Sequence, residues 1–229
     1  MFKYNHRHLE IISIFIFLAY CFMFCSRIFE ETIRLSDNIG YSVFLVFILT
    51  FLFGYIGADF FSGLAHFLGD TFGTEETPLL GQTFIKPFRE HHIDPKGMTK
   101  HDFIETSGNN CIVSIPVLLV VYYFVDIKLS LLHYFLYSSF TFLMFAIFVT
   151  NQIHKWAHID HPGKFIHFLQ DNHLILSPEH HQIHHTEPFD KYYCITVGWL
   201  NPFLYKIQLF ELVKLLAYKI FQNRITIKH

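Results

Sequence analysis

Four apolar runs, at 11–29, 41–65, 111–125 and 129–150, set the terms on which this chain can fold. A bilayer crossing needs about 20 mostly apolar residues. Inside hydrocarbon the backbone N–H and C=O groups must be satisfied within the segment itself, which makes each run a helix. With 52% hydrophobic residues and 29 phenylalanines among 229 residues, the chain is too apolar for an ordinary soluble domain. The expected fold class is therefore all-α: an integral-membrane helical bundle of about four transmembrane helices. The third run is short. It either pairs with the fourth as a tight hairpin across Asp126-Ile127-Lys128 or dips into the bilayer without fully spanning it. The first run lacks an Ala-x-Ala-like cleavage site and is followed by charged residues, so it reads as a retained anchor rather than a signal peptide. No internal repeat or Gly/Ser linker divides the chain, and one domain over 1–229 is expected, with a cap formed by 66–110 and 151–229.

Orientation follows from Lys and Arg near the spans. Lys3 and Arg7 precede the first run, Lys86, Arg89, Lys96 and Lys100 lie between the second and third, and Lys155, Lys164 and Lys191 follow the fourth. The opposite side carries little beyond Arg27, Arg34 and Lys128. Both termini, the middle loop and the cap are thus expected in the cytoplasm. The net charge of −2 and the scattered cations offer no stripe for a nucleic acid. The four cysteines form no Cys-x2-Cys pair, so neither a disulfide framework nor a cysteine zinc site is supported. The stretch 203–221 mixes Lys206, Glu211, Lys214 and Lys219 with Leu, Phe and Ile, as an interfacial amphipathic helix would; a helix packed on the core is the alternative.

Histidine is the residue that carries chemistry. At 100° per residue, Asp59, His66 and Asp70 fall within about 40° of one another near the end of the second run and are expected to face one site. His154, His158 and His161 share a stripe at the end of the fourth. His181, His184 and His185 occupy one side of a helical turn, flanked by His180. His91 and His92 are expected in a loop between Pro87 and Pro95, and the middle loop also carries His101-Asp102 and Asn109-Asn110. Isolated His6, His8, His133, His167 and His229 read as polar tips, while His101 and His173 are stronger ligand candidates, His101 being either a ligand or a partner that orients one. So dense a cluster would repel itself on protonation unless a metal used the lone pairs. Eight or more imidazoles and a carboxylate exceed the four donors of one zinc ion and suffice for two metal ions with open positions. With no grouped thiolates, nothing supports an iron–sulfur cluster. Two irons that activate O2 fit the supply better than two zincs, although spacing leaves zinc open. Oxygen-dependent C–H oxidation of a membrane lipid is the natural use of such a centre.

Longer strings make the comparison specific. His154-x3-His158 and His181-x2-His184-His185 look like the histidine boxes of membrane di-iron desaturases and hydroxylases. Phe88-Arg-Glu-His-His-Ile-Asp-Pro95, His101-Asp-Phe-Ile-Glu-Thr106, Asn151-Gln-Ile-His-Lys-Trp156 and Cys194-Ile-Thr-Val-Gly-Trp-Leu-Asn201 closely resemble the plasmanylethanolamine desaturase, or Kua-type, family of lipid desaturases. The likeness runs from about Asp59 to Asn201. Phe67, Phe72, Asn172 and Phe189 depart from the family pattern and leave the metal set intact. The resemblance implies conversion of a 1-O-alkyl ether phospholipid to its vinyl ether, a plasmalogen, with two iron ions, O2 and externally supplied electrons. The ligands it implies are His66, Asp70, His91, His92, His154, His158, His181, His184 and His185, with His180 and His101 as further members. It also implies the endoplasmic reticulum in a eukaryote or the inner membrane in a bacterium.

The chain has no Gly-x-Gly-x2-Gly and no Cys-rich cluster, so a separate donor, a cytochrome b5-type protein or a ferredoxin with its reductase, is expected. Lys86, Arg89 or Lys100 either meets a lipid phosphate or merely follows the positive-inside rule. An acyl-lipid desaturase of the trans-3 phosphatidylglycerol type and a lipid hydroxylase are the neighbouring readings. A metal-binding or transporting membrane protein is the non-enzyme alternative, but transport calls for ionisable residues along the spans.

Overall fold

Helices account for the regular structure of residues 3–221, the part of the chain the computed structural model describes. Side chains are described from His6 to Ile220, so His229 and the side chain of Lys3 lie outside them. In chain order the helices are α1 (Lys3–Ile39), α2 (Ser42–Thr71), α3 (Lys86–Ile93), α4 (Phe103–Phe124), α5 (Leu131–Ala157), α6 (Lys164–Asp171), α7 (Pro178–His184), α8 (Asn201–Lys206) and α9 (Leu209–Phe221). Four of them, α1, α2, α4 and α5, are long and apolar enough to cross a membrane. Two compact units divide the chain: 1–58 with 102–152, and 59–101 with 153–229.

The first unit holds α1, α4 and most of α2 and α5. Its interior is aromatic: Phe24 stacks on Tyr137 with centroids 4.7 Å apart, and Phe17 on Phe148 at 5.2 Å. Phe15, Phe22, Leu45 and Val113 are exposed, as lipid-facing side chains are. The α4 helix spans 22 residues, about 33 Å at 1.5 Å per residue, so the third run is long enough to cross. It is longer than the apolar run because the polar stretch expected in the middle loop is helical. Asp102 caps it by accepting from the Glu105 amide at 3.0 Å, and Asn110 inside it donates to the Ile147 carbonyl at 2.7 Å. Asn151 in turn donates to Asn110 Oδ1 at 2.9 Å, so these half-buried amides satisfy one another. Similarly, α1 continues past its apolar run because its charges find partners. The Arg34 guanidinium pairs with buried Glu31, and Arg27 lies 3.7 Å over the Tyr122 ring while donating to the Tyr122 carbonyl at 2.7 Å. The α4–α5 connection turns at Asp126, whose carboxylate accepts from the Lys128 amide at 2.9 Å.

The second unit contains the end of α2 from Asp59, the end of α5, α3 and α6 to α9. Its small core packs Phe67 against Phe210 at 4.8 Å and against Tyr193 at 5.4 Å. The stretch 203–221 is two helices rather than one, broken where Gln208 takes φ +53°. Phe210 turns into the core, and Leu212, Leu215, Leu216 and Ile220 stay exposed. Both faces of the sequence expectation are therefore present in one helix.

Candidate metal centre

Four short stretches of the second unit supply the donors. On α2, His66 and Asp70 are one turn apart and face the same way. On α3, Pro87 sits in the first turn and the helix runs through His91 and His92, which are thus helical rather than in a loop. Pro87 lacks only an N–H that a first turn leaves unused anyway. His154 lies in the last turn of α5, and His158 follows in the turn beyond it. On α7, the Ser177 side chain caps the helix by accepting from the His180 amide at 3.3 Å, with Pro178 next. That start sets His181 and His184 on the buried side and His185 at the C-cap.

These donors form two groups, each with its ligand atoms within 4.8 Å of one another: His91, His154, His158, His181 and His185, and His66, His91, His92 and His184. His91 belongs to both. Asp70 joins the second group, with Oδ2 3.1 Å from His92 Nε2 and 3.4 Å from Nε2 of both His66 and His184. His66 and His184 are completely buried, and His154, His181 and His91 nearly so.

The hydrogen bonds decide which nitrogens carry protons. His66 Nδ1 lies 3.2 Å from the Tyr193 carbonyl, His184 Nδ1 2.8 Å from the Lys191 carbonyl, and His91 Nδ1 bonds the Phe88 carbonyl. A carbonyl only accepts, so each of these Nδ1 atoms donates and each Nε2 keeps its lone pair. His66 Nε2 and His184 Nε2 then face each other at 3.1 Å as two acceptors. In the five-histidine group, His181 Nε2 lies 2.8 Å from that of His154, 3.0 Å from that of His158 and 3.0 Å from that of His185. Where two lone pairs face each other, as at His66 and His184, they repel unless a cation lies among them. His91 Nε2 and Asp70 Oδ1 are also buried without a partner. The residues therefore fit metal ions, with carbonyls fixing the ring orientation of the ligands as in other metal sites.

Burial reinforces the neutral state. Loss of hydration, followed by the neighbouring imidazoles, holds His91 and His181 well below the ordinary histidine value. The same causes lower His158 to about 4 and His185 to about 3. Neutral imidazole is the form that binds metal.

Of the eleven residues anticipated from the sequence, nine converge and two do not. His101 is exposed, and its carbonyl accepts from Lys155. His180 is turned away; its Nε2 accepts from Asn201 Nδ2 at 3.1 Å. Asp59 was expected to share the site of His66 and Asp70, but it accepts backbone amides at 197, 198 and 200 instead. It shares their angular stripe, yet seven residues separate it from His66 by about 10.5 Å along the axis. His161 is exposed beyond the end of α5, and His173 is exposed with φ +53°. Arg89 donates to the Phe72 and Gly73 carbonyls at 3.3 and 3.0 Å, and Lys86 sits between Glu75 and Glu90. The carbonyls of Tyr193 and Lys191 were not anticipated, since a backbone group leaves no mark on residue type.

Four helices long and apolar enough to cross a membrane, and two buried, nitrogen-rich, thiolate-free histidine groups that could hold metal ions, are the marks of a histidine-box membrane protein. The lipid desaturase domain matches residues 55–224, and the chain belongs to that family. It is 50% identical over 160 residues to the plasmanylethanolamine desaturase of Myxococcus xanthus, covering 69% of this chain and 56% of that one. It is 47% identical over 160 residues to plasmanylethanolamine desaturase 1 of Mus musculus, covering 67% and 58%. The chloroplastic fatty acid desaturase 4 of Arabidopsis thaliana is 31% identical over 169 residues, covering 72% and 50%. The chain thus spans a little over half the length of the first two relatives. No solved structure matches it. The resemblance read from the motif strings is borne out.

Proposed function

We propose that the chain is an O2-dependent membrane lipid desaturase that introduces the 1′-alkenyl double bond into 1-O-alkyl ether phospholipids, making plasmalogens. The observation that carries the reading is the pair of imidazole groups sharing His91, each with its ligand atoms within 4.8 Å of one another and largely buried. His66, Asp70, His91, His92, His154, His158, His181, His184 and His185 are the proposed ligands of two iron ions; His180 and His101 are not. Bound iron supplies the redox chemistry that couples reduction of O2 to removal of hydrogen from the lipid.

The chain's own residues do the rest. The Tyr193, Lys191 and Phe88 carbonyls hold three imidazoles in one tautomer, so their lone pairs need no rearrangement on loading. The Asp70 carboxylate places a negative charge beside three neutral rings and offsets part of the metal charge. Burial of His66, His154, His181 and His184 keeps water away from the donors. The carbon beside an ether oxygen gives up hydrogen readily because the oxygen lone pair stabilises the radical. Overall, two hydrogens leave the alkyl chain, and O2, two electrons and two protons complete two waters. Those electrons come from a separate donor of cytochrome b5 or ferredoxin type.

The chain is proposed to be multi-pass, with termini and metal site cytoplasmic, in the endoplasmic reticulum of a eukaryote or the inner membrane of a bacterium; the distribution of Lys and Arg supports this. The ether substrate is preferred to an acyl one because identity is 50% and 47% with relatives named for plasmanylethanolamine and 31% with the fatty acid desaturase. The test is lipid mass spectrometry on plasmalogen-free cells fed alkylglycerol and expressing either this chain or its His184→Ala variant. Acid-labile vinyl ethers should appear with the first and not the second. New acyl double bonds or hydroxyls without vinyl ethers would replace the ether reading by its neighbours.

A further inference from the structure

Asp59 is a carboxylate with no exposed surface, outside both metal groups, that accepts three backbone amides: Val197 at 2.9 Å, Gly198 at 2.8 Å and Leu200 at 3.1 Å. Burying a carboxylate is costly unless its lone pairs are met, and a concave run of amides meets them. Gly198 makes the concavity possible. Its φ is +83°, and a Cβ there would lie 2.6 Å from the His180 ring. The same segment is tied at other points. Ser62 Oγ accepts from the Ile195 amide at 3.2 Å, and Asn201 accepts from the Cys194 amide at 2.8 Å while donating to the Cys194 carbonyl at 3.0 Å. Just upstream lie the two carbonyls that orient metal-facing imidazoles, Lys191 for His184 and Tyr193 for His66.

From this geometry we infer that Asp59 is a positioning residue: by fixing the 191–201 strap against α2, it aims the His66 and His184 rings and so governs one of the two metal positions, that of His66, His91, His92 and His184. This rests on the two-metal reading above. The five-histidine position also has supports of its own. His91 is set by the Phe88 carbonyl, and α7 carries its own Ser177 cap. Asp59 is itself a ligand to neither metal. It acts through the strap carbonyls, whose loss in comparable sites weakens metal affinity about 10- to 100-fold.

The test is an anaerobic titration of the detergent-purified full chain with 57Fe(II), read as iron bound per chain and by Mössbauer spectroscopy, for wild type, Asp59→Asn and Ser62→Ala. In Asp59→Asn the carboxamide keeps the shape of the side chain and turns one acceptor into a donor. Two binding steps are expected in wild type. In Asp59→Asn one step should weaken 10- to 100-fold while the other step and its spectrum hold. Ser62→Ala, a gentler cut at the same strap, should weaken the same step to a smaller degree. Circular dichroism checks that each variant is folded; should Asp59→Asn not fold, the Ser62→Ala result decides. Two unchanged steps, or two steps weakened equally in a folded variant, would overturn the inference. Fewer than two steps in wild type would instead sink the two-metal reading on which it rests.

Discussion

Gly63→Ala places one methyl group where the strap meets α2, and its effects on stability and on activity should part company. A Cβ at this position would lie 2.5 Å from Cys194 Sγ and 3.1 Å from both Cα and N of Cys194. Comfortable separations between such atoms are about 3.5–4.0 Å, so Cys194 has to retreat by roughly 0.5 Å or more. Overpacking of this size costs about 1–3 kcal/mol. Replacing a helical glycine by alanine returns about 1 kcal/mol. The net destabilisation is therefore about 0–2 kcal/mol, small enough for the chain to stay folded. The retreat, however, carries the neighbouring Tyr193 carbonyl away from His66 Nδ1, which it meets at 3.2 Å. If a displacement of about 1 Å costs about 100-fold in rate, half of that predicts a loss of roughly tenfold. Thermal unfolding in detergent and the yield of acid-labile vinyl ether per chain read the two quantities. The double variant Gly63→Ala with Cys194→Ala removes the nearest contact and should recover part of the activity. A single variant with full activity, or a double variant no better than the single one, refutes the reasoning.

His184→Ala should abolish metal binding at one position while the five-histidine group still loads, as metal analysis of the purified chain will show. Gly54→Val should destabilise the first unit by about 1–3 kcal/mol or more, because a Cβ there runs into the Ser139 carbonyl and lies 2.7 Å from Phe142 Cβ; the melting of the helical signal in detergent measures it. The metal-free chain should lose stability as pH falls from about 7 towards 4. His158 and His185, lowered to about 4 and about 3, refuse protons in the folded state that the unfolded chain accepts near 6.5, so acid favours unfolding. Thermal midpoints measured with a chelator across that range check it, and a midpoint that rises on acidification would contradict it.

The parts of this architecture legible in the sequence were those set by period and length. Apolar runs announced four helices, and the spacing of His66 from Asp70, His154 from His158, and His181 from His184 and His185 announced shared faces. Helix ends were not legible. Glu31 and Arg34 read as the end of a span, and Ser107 to Asn110 as a loop, because their partners are distant in sequence or invisible in a hydropathy pattern. Pro87 and Pro95 suggested a loop around His91 and His92, although one begins a helix and the other follows its end. Asp59 shows the limit of an angular argument, which gives direction around a helix and ignores height along it. His180 differs from His181 by one step of 100°, enough to send it to Asn201 rather than to the cluster.

Ether-lipid desaturation at a two-iron centre is open to a single-turnover experiment. The purified, iron-loaded chain is reduced chemically without its donor, mixed with a 1-O-alkyl phospholipid in detergent or nanodiscs, and exposed to O2. Vinyl ether should form in amounts that track the number of two-iron centres, and none should form with His184→Ala. Iron-loaded, reduced protein that consumes O2 and leaves the ether lipid unchanged, or that hydroxylates it instead, would contradict that assignment.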